Sequence, residues 1–188
     1  MSKKNTYYII GGLIVLYLAA TKTQLGMSVT DSLLSLLRSL EEGNNPALTA
    51  YQDSAGVWTI GYGSIYNFDL NRKVQQGDTI DAATAERYLQ QEANEKLQYV
   101  QSLITVPVTN NQLVALGSFT YNVGESAFAN STLLRLLNNG SDINTVADQF
   151  DRWIYAGGRI VNGLVNRRNA EKTLFCHRVA IITYNLVF

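Results

Sequence analysis

A single cysteine, Cys176, excludes an internal disulfide, so packing alone must hold these 188 residues together. It sits beside Leu174, Phe175 and the only histidine, His177, a setting that suits a buried, inert thiol better than a nucleophile. A surplus of either charge is also lacking. Fifteen basic and fifteen acidic side chains cancel, and without Lys3, Lys4 and Lys22 the rest of the chain holds twelve against fifteen. Nucleic-acid binders concentrate a basic surplus on one face, so no nucleic-acid partner is expected. Repeats, low-complexity tracts and a second linker are absent as well, which argues for one domain with a short appendage. At 46% apolar and 16% charged residues, the composition is that of a chain that folds.

The appendage is the N-terminus. Residues 7–20 read YYIIGGLIVLYLAA without a charge, after Lys3 and Lys4 and before Lys22. As a helix, the uncharged residues 5–21 would reach about 25 Å, against a hydrocarbon core of about 30 Å. Such a segment spans a membrane only with snorkelling lysines, and its glycines, alanines and tyrosines weaken retention. Two lysines before it and one after place the N-terminus in the cytoplasm and the remainder outside. The expected division is a hydrophobic signal-anchor helix in residues 1–26 and a folded domain in 27–188. Leu18 and Ala20 make only an imperfect small-x-small cleavage site, so retention is expected.

Beyond it, residues 28–42 have the pattern of an amphipathic helix, with Ser28 and Asp31 as a capping box and Val29, Leu33, Leu36, Leu37 and Leu40 on one face. Gly43 ends it. Residues 47–63 change character, with Tyr51, Val57, Trp58, Ile60 and Tyr62 around the turn formers of 53–56, which predicts a small hairpin. Asp81 caps a long helix to about Ile104, with Ala85, Tyr88, Leu89, Ala93, Leu97 and Val100 on its apolar side. Thr109 caps a buried helix, Ser131 a short one, another is expected over 143–155, and a last begins near Asn162. The fold class is α+β, mainly helical, with a small sheet near its start.

Two carboxylates stand where glycoside hydrolysis could use them. Such chemistry needs one protonated carboxyl group to assist the leaving oxygen and another, ionised, to activate water or attack the sugar. Glu42 falls at a helix C-terminus, whose partial negative charge favours the protonated acid. Asp53 lies in a polar turn that favours the ionised form, and the Thr59 hydroxyl can orient a water. Taken singly, each also fits a bland role: a solvated surface Glu, an Asp bonding its own turn, a packed strand Thr.

Glu42, Gly43, then Ala50 to Asp53, then GVWTIGYG at 56–63 resemble the catalytic signature of the phage lysozymes, glycoside hydrolase family twenty-four. SFTYNVGESAFANSTLLRLLNNG at 118–140 resembles the family's second block. Arg152, Trp153 and AGGRIVNGLVNRRNAE at 156–171 resemble its third. The resemblance implies a lysozyme-like fold and a cofactor-free, metal-free hydrolase of the β-1,4 bond between N-acetylmuramic acid and N-acetylglucosamine in peptidoglycan. It implies Glu42 as acid, Asp53 as second carboxylate and Thr59 as its partner at the attacking water. Arg167 is expected beside Glu42, Asn122, Asn130 and Ser131 at the sugars, and Trp153 in the core.

Two positions depart from the pattern. Glu42 and Asp53 are eleven apart where the family spacing is nine, which implies a two-residue insertion within 44–47 and keeps Glu41 as an alternative acid. Ser64 stands where the family commonly has a histidine of a structural histidine–carboxylate pair. With the N-terminal segment, the resemblance implies either a signal-arrest-release endolysin, at the host inner membrane or in the periplasm, or a phage-particle component contacting other virion proteins. Its rival is a catalytically inactive peptidoglycan-binding or structural module.

Overall fold

The computed structural model describes residues 8–10, 13–15, 19–40, 45–53 and 56–177, with side chains described from residue 29 onwards. Seven helices, α1 (Ala19–Leu40), α2 (Ala82–Leu103), α3 (Asn110–Val123), α4 (Glu125–Ala129), α5 (Thr132–Asn138), α6 (Ile143–Ala147) and α7 (Asn162–Cys176), accompany four antiparallel two-stranded ribbons among the described residues. The ribbons pair β1 (Tyr8–Ile10) with β2 (Leu13–Val15), β3 (Ala47–Gln52) with β4 (Trp58–Gly61), β5 (Tyr66–Asn67) with β6 (Arg72–Lys73), and β7 (Tyr155–Ala156) with β8 (Arg159–Ile160).

The core is built around α3, whose residues 113–120 are all buried. It packs on α1, α2 and α7. Its start is fixed by a capping box: the Thr109 side chain accepts from the Gln112 N–H, and Gln112 reaches back to the Thr109 N–H. Gly117 allows the close approach of the three helices, since a Cβ there would lie 3.0 Å from both Leu33 and Leu97 methyl carbons. The Asp81 carboxylate accepts from the Thr84 N–H at 2.7 Å and starts α2. Ala85, Tyr88, Leu89, Ala93, Leu97 and Val100 all turn inward from α2, and each large apolar side chain so buried contributes roughly 1.5–3 kcal/mol.

Three expectations need correction. The N-terminal hydrophobic helix is not what the described residues show, because Ile9 pairs with Ile14 in the β1–β2 ribbon. β-Branched residues around the Gly11-Gly12 dipeptide favour a hairpin as strongly as apolar length favours a helix. Among the described residues no helix is long and apolar enough to cross a membrane. Second, α1 starts at Ala19, so Ser28 lies inside a helix that runs unbroken past residue 26. Polar, unbranched residues such as Lys22 and Gln24 extend it beyond the capping pattern. Third, the helix expected over 143–155 is split into α6 and a 3₁₀ turn, Phe150–Arg152. There Phe150 is fully buried, and Trp153 meets the Phe119 ring edge-on at 5.3 Å. A tighter, three-residue turn brings side chains 150 and 153 over one another towards the core.

Candidate active site

Asp53 directly follows β3, and the chain returns through Gly56 into β4. The Asp53 carboxylate accepts the Val57 N–H at 2.8 Å, while the Asp53 N–H donates to the Val57 carbonyl at 3.0 Å. The Gly56 N–H donates to the Asp53 carbonyl at 2.9 Å. Thr59, two residues on and paired with Tyr51 across the ribbon, is 3% exposed. Its hydroxyl donates to the same Val57 carbonyl at 3.1 Å. Asp53 and Thr59 are therefore brought together on one residue. With the Thr59 proton directed at a carbonyl, the lone pairs of its oxygen remain able to accept from a water.

Glu42 and the alternative Glu41 fall in residues 41–44, outside the described residues. Of the expected sugar contacts, Asn130 and Ser131 come together. Both line a cavity of about 390 Å³ with Gln149, Arg152 and Trp153. Ser131 caps α5 by accepting the Leu134 N–H at 3.0 Å, which leaves its hydroxyl proton available. The Asn130 amide donates to the Ser126 carbonyl at 2.8 Å, which leaves its carbonyl oxygen to accept. Trp153 is half-buried and does both jobs, packing on Phe119 and walling the cavity. Asn122 sits elsewhere, near the end of α3, where its carbonyl oxygen accepts from Arg168 at 2.9 Å.

Arg167 is 7% exposed on α7, with its Nε 3.5 Å from Glu171. Glu171 and Arg168, both fully buried, pair at 2.8 Å, and Ser118 of α3 donates to Glu171 at 2.7 Å. Arg168 also lies over the Phe119 ring at 4.8 Å. Burial pushes the Glu171 carboxyl up and the Arg168 guanidinium down, and each charge opposes the shift of the other. This pair anchors α7, and hence Arg167, to α3.

Two carboxylates of α2 went unnoticed in the sequence. Glu86 accepts from Arg38 of α1 at 2.6 Å and from the Tyr62 hydroxyl at 2.6 Å. The Arg38 guanidinium holds the Glu86 carboxyl below its ordinary range. Glu92 accepts the Ser64 hydroxyl at 2.8 Å and the Tyr121 hydroxyl at 3.2 Å. Burial pushes Glu92 up, against those two hydrogen bonds and Lys96. The signal was available, since Glu92 is seven residues after Ala85 and four after Tyr88, on the helix face that turns inward. Among the described residues no cluster of histidine, cysteine, aspartate or glutamate could hold a metal ion.

A profile described as phage lysozyme matches residues 41–171, a span that takes in Glu42, Asp53, Thr59 and the Arg168–Glu171 pair. The chain belongs to the phage lysozyme family. It is 37% identical over 153 residues to an endolysin of Acyrthosiphon pisum secondary endosymbiont phage 1, covering 79% of this chain and 98% of that one. It is 35% identical over 122 residues to a SAR-endolysin of Enterobacteria phage PA-2, covering 65% of this chain and 70% of that one. Among solved structures it is similar to the endolysin from Escherichia coli O157:H7 phage FAHEc1, with a TM-score of 0.66 and 35% identity, over 78% of this chain and 92% of that one. The lysozyme-like fold is thus established, and the chain is a glycoside hydrolase of peptidoglycan.

Proposed function

We propose that the chain is a signal-arrest-release endolysin of glycoside hydrolase family twenty-four, a muramidase in which Glu42 is the acid, Asp53 the base and Thr59 the holder of the attacking water. The observation that carries this reading is the convergence of Asp53 and Thr59 on Val57. Support for it is that a carboxylate and a buried hydroxyl, the two kinds of group that activation of a water uses, both bond to Val57. Asn130 and Ser131 offer the acceptor and donor of an N-acetyl group in the cavity, and Arg167 tunes Glu42. Residues 5–21 supply the membrane attachment, with the catalytic domain outside it. Support for that attachment is the lysine-flanked apolar sequence and the SAR-endolysin relative.

Clearing of purified cell walls tests the assignment. Glu42→Gln should abolish clearing with little loss of folding stability, because the carboxyl group contributes chemistry rather than packing. Full clearing by Glu42→Gln, with loss in Glu41→Gln instead, would move the acid by one residue.

A further inference from the structure

Three elements meet at Glu92 of α2. The Ser64 hydroxyl, from the turn after β4, lies 2.8 Å from one carboxylate oxygen, and the Tyr121 hydroxyl of α3 lies 3.2 Å from the other. Each hydroxyl has a competing acceptor, the Tyr66 carbonyl 2.8 Å from Ser64 and the Tyr62 carbonyl 2.9 Å from Tyr121. A hydroxyl has one proton to give, and an ionised carboxylate is the stronger acceptor.

What Glu92 holds is joined to Thr59 through a short path. Ile60 and Ser64 exchange backbone hydrogen bonds at 2.8 and 2.9 Å, closing the turn through Gly61, whose φ of +65° suits glycine. Ile60 follows Thr59 directly, so Thr59 shares any movement of Ser64. On the other side, Tyr121 precedes Asn122 and belongs to α3, whose residues 113–120 are buried. We propose that Glu92 is a positioning residue for glycan hydrolysis: by accepting the Ser64 and Tyr121 hydroxyls it locks the β4 turn, and with it the Thr59 hydroxyl, against α3.

The proposal rests on the reading of Asp53 and Thr59 as the water-activating pair. Among the described residues, the ionisable groups that act on Glu92 lie on α2 and α3. Lys96 and Glu95 share α2 with it, and Lys96 is paired with Glu125 of α4 at 2.6 Å. Tyr121 faces it from α3, and the nearby Tyr62 hydroxyl is taken by Glu86. Burial raises the Glu92 carboxyl, so the lock loosens as pH falls through that raised value and the hydroxyls turn to the two carbonyls.

A mutant cycle tests this, with kcat and KM on purified peptidoglycan and native-state hydrogen exchange of the Ile60 and Ser64 amides, all well below each variant's melting temperature. Glu92→Leu should lower kcat about tenfold with KM unchanged, speed both amides about tenfold, and cost nothing further in a Thr59→Ala background. Glu92→Gln, neutral like the protonated acid, should show at neutral pH the lowered kcat that the wild type shows at acid pH, and should remove the Glu92 inflection from the pH–rate profile. Tyr121→Phe, which keeps the ring, provides a second variant should Glu92→Leu not fold, with the same loss of kcat at unchanged KM. Full additivity with Thr59→Ala, or unaltered amide exchange, would overturn the proposal. An inactive wild type would instead overturn the reading of Asp53 and Thr59, and amide exchange alone would then decide whether Glu92 locks the turn.

Discussion

Asp53 and Val57 are joined twice, by the Val57 N–H on the Asp53 carboxylate at 2.8 Å and by the Asp53 N–H on the Val57 carbonyl at 3.0 Å. This closes the turn and orients the carboxylate in one step. An orienting bond of this kind lets a side chain on a turn act with the precision of one on a strand.

Under the proposed assignment, Thr59 sets the expected stereochemistry. A hydroxyl that holds a water beside Asp53 makes sense when that water attacks directly, whereas a nucleophilic Asp53 needs the same space for the sugar. Cleavage of the β-linkage should therefore invert, with the α-anomer as first product by NMR. Thr59→Ala should be slower by roughly 10²-fold from loss of positioning, and Thr59→Ser largely active. A β-anomer, or a covalent glycosyl adduct on Asp53, would contradict this.

Arg72 grips Asp78 through two hydrogen bonds at 2.7 and 2.9 Å and holds its carboxyl at about 2. A carboxyl lowered on folding stabilises the folded state above its unfolded value, near 3.8, and that stabilisation is lost as pH falls towards 2. Thermal melts of wild type and Arg72→Gln should differ at pH 6 and converge near pH 2. A gap that stays constant over this range would show that the pair contributes through packing alone.

Glu171 is fully buried between two arginines and Ser118. Glu171→Ala leaves buried positive charge uncompensated and should cost about 3–5 kcal/mol in denaturant unfolding. Arg168→Met combined with Glu171→Leu should recover much of it, since the apolar pair avoids the desolvation penalty. A double variant no more stable than Glu171→Ala would show that the Asn122 and Phe119 contacts of Arg168 matter more than its charge.

The helices that could be read from sequence were those whose local signals and tertiary needs agree. Asp81 and Thr109 cap where expected, and the inward row of α2 is complete, because a 3.6-residue apolar stripe has few ways to be buried. Ser28 misled because a capping pattern has no force inside a longer helix. The β7–β8 ribbon was overlooked although Gly157-Gly158 is a hairpin dipeptide, since its flanks are exposed and carry no alternation to read. In the site, Asn130 and Ser131 share a cavity while Asn122 is engaged by Arg168, a distinction that depends on contacts across forty-six residues. Ser64 could be read only as the absence of a histidine; that its hydroxyl binds Glu92 depends on the approach of α2.

Changing Ile14 to Lys tests the membrane role of the N-terminal segment, since a central charge costs about 3 kcal/mol of insertion. More soluble enzyme should appear after fractionation of expressing cells. An unchanged distribution would count against membrane attachment through residues 5–21.

The most direct measurement is the chemistry of the cut ends. Peptidoglycan digested by the purified enzyme should release fragments whose new reducing ends, by mass spectrometry after borohydride reduction, are N-acetylmuramic acid, and Glu42→Gln should release none. New reducing ends on N-acetylglucosamine, anhydro-sugar ends, or equal release by Glu42→Gln would contradict a muramidase working through Glu42 and Asp53.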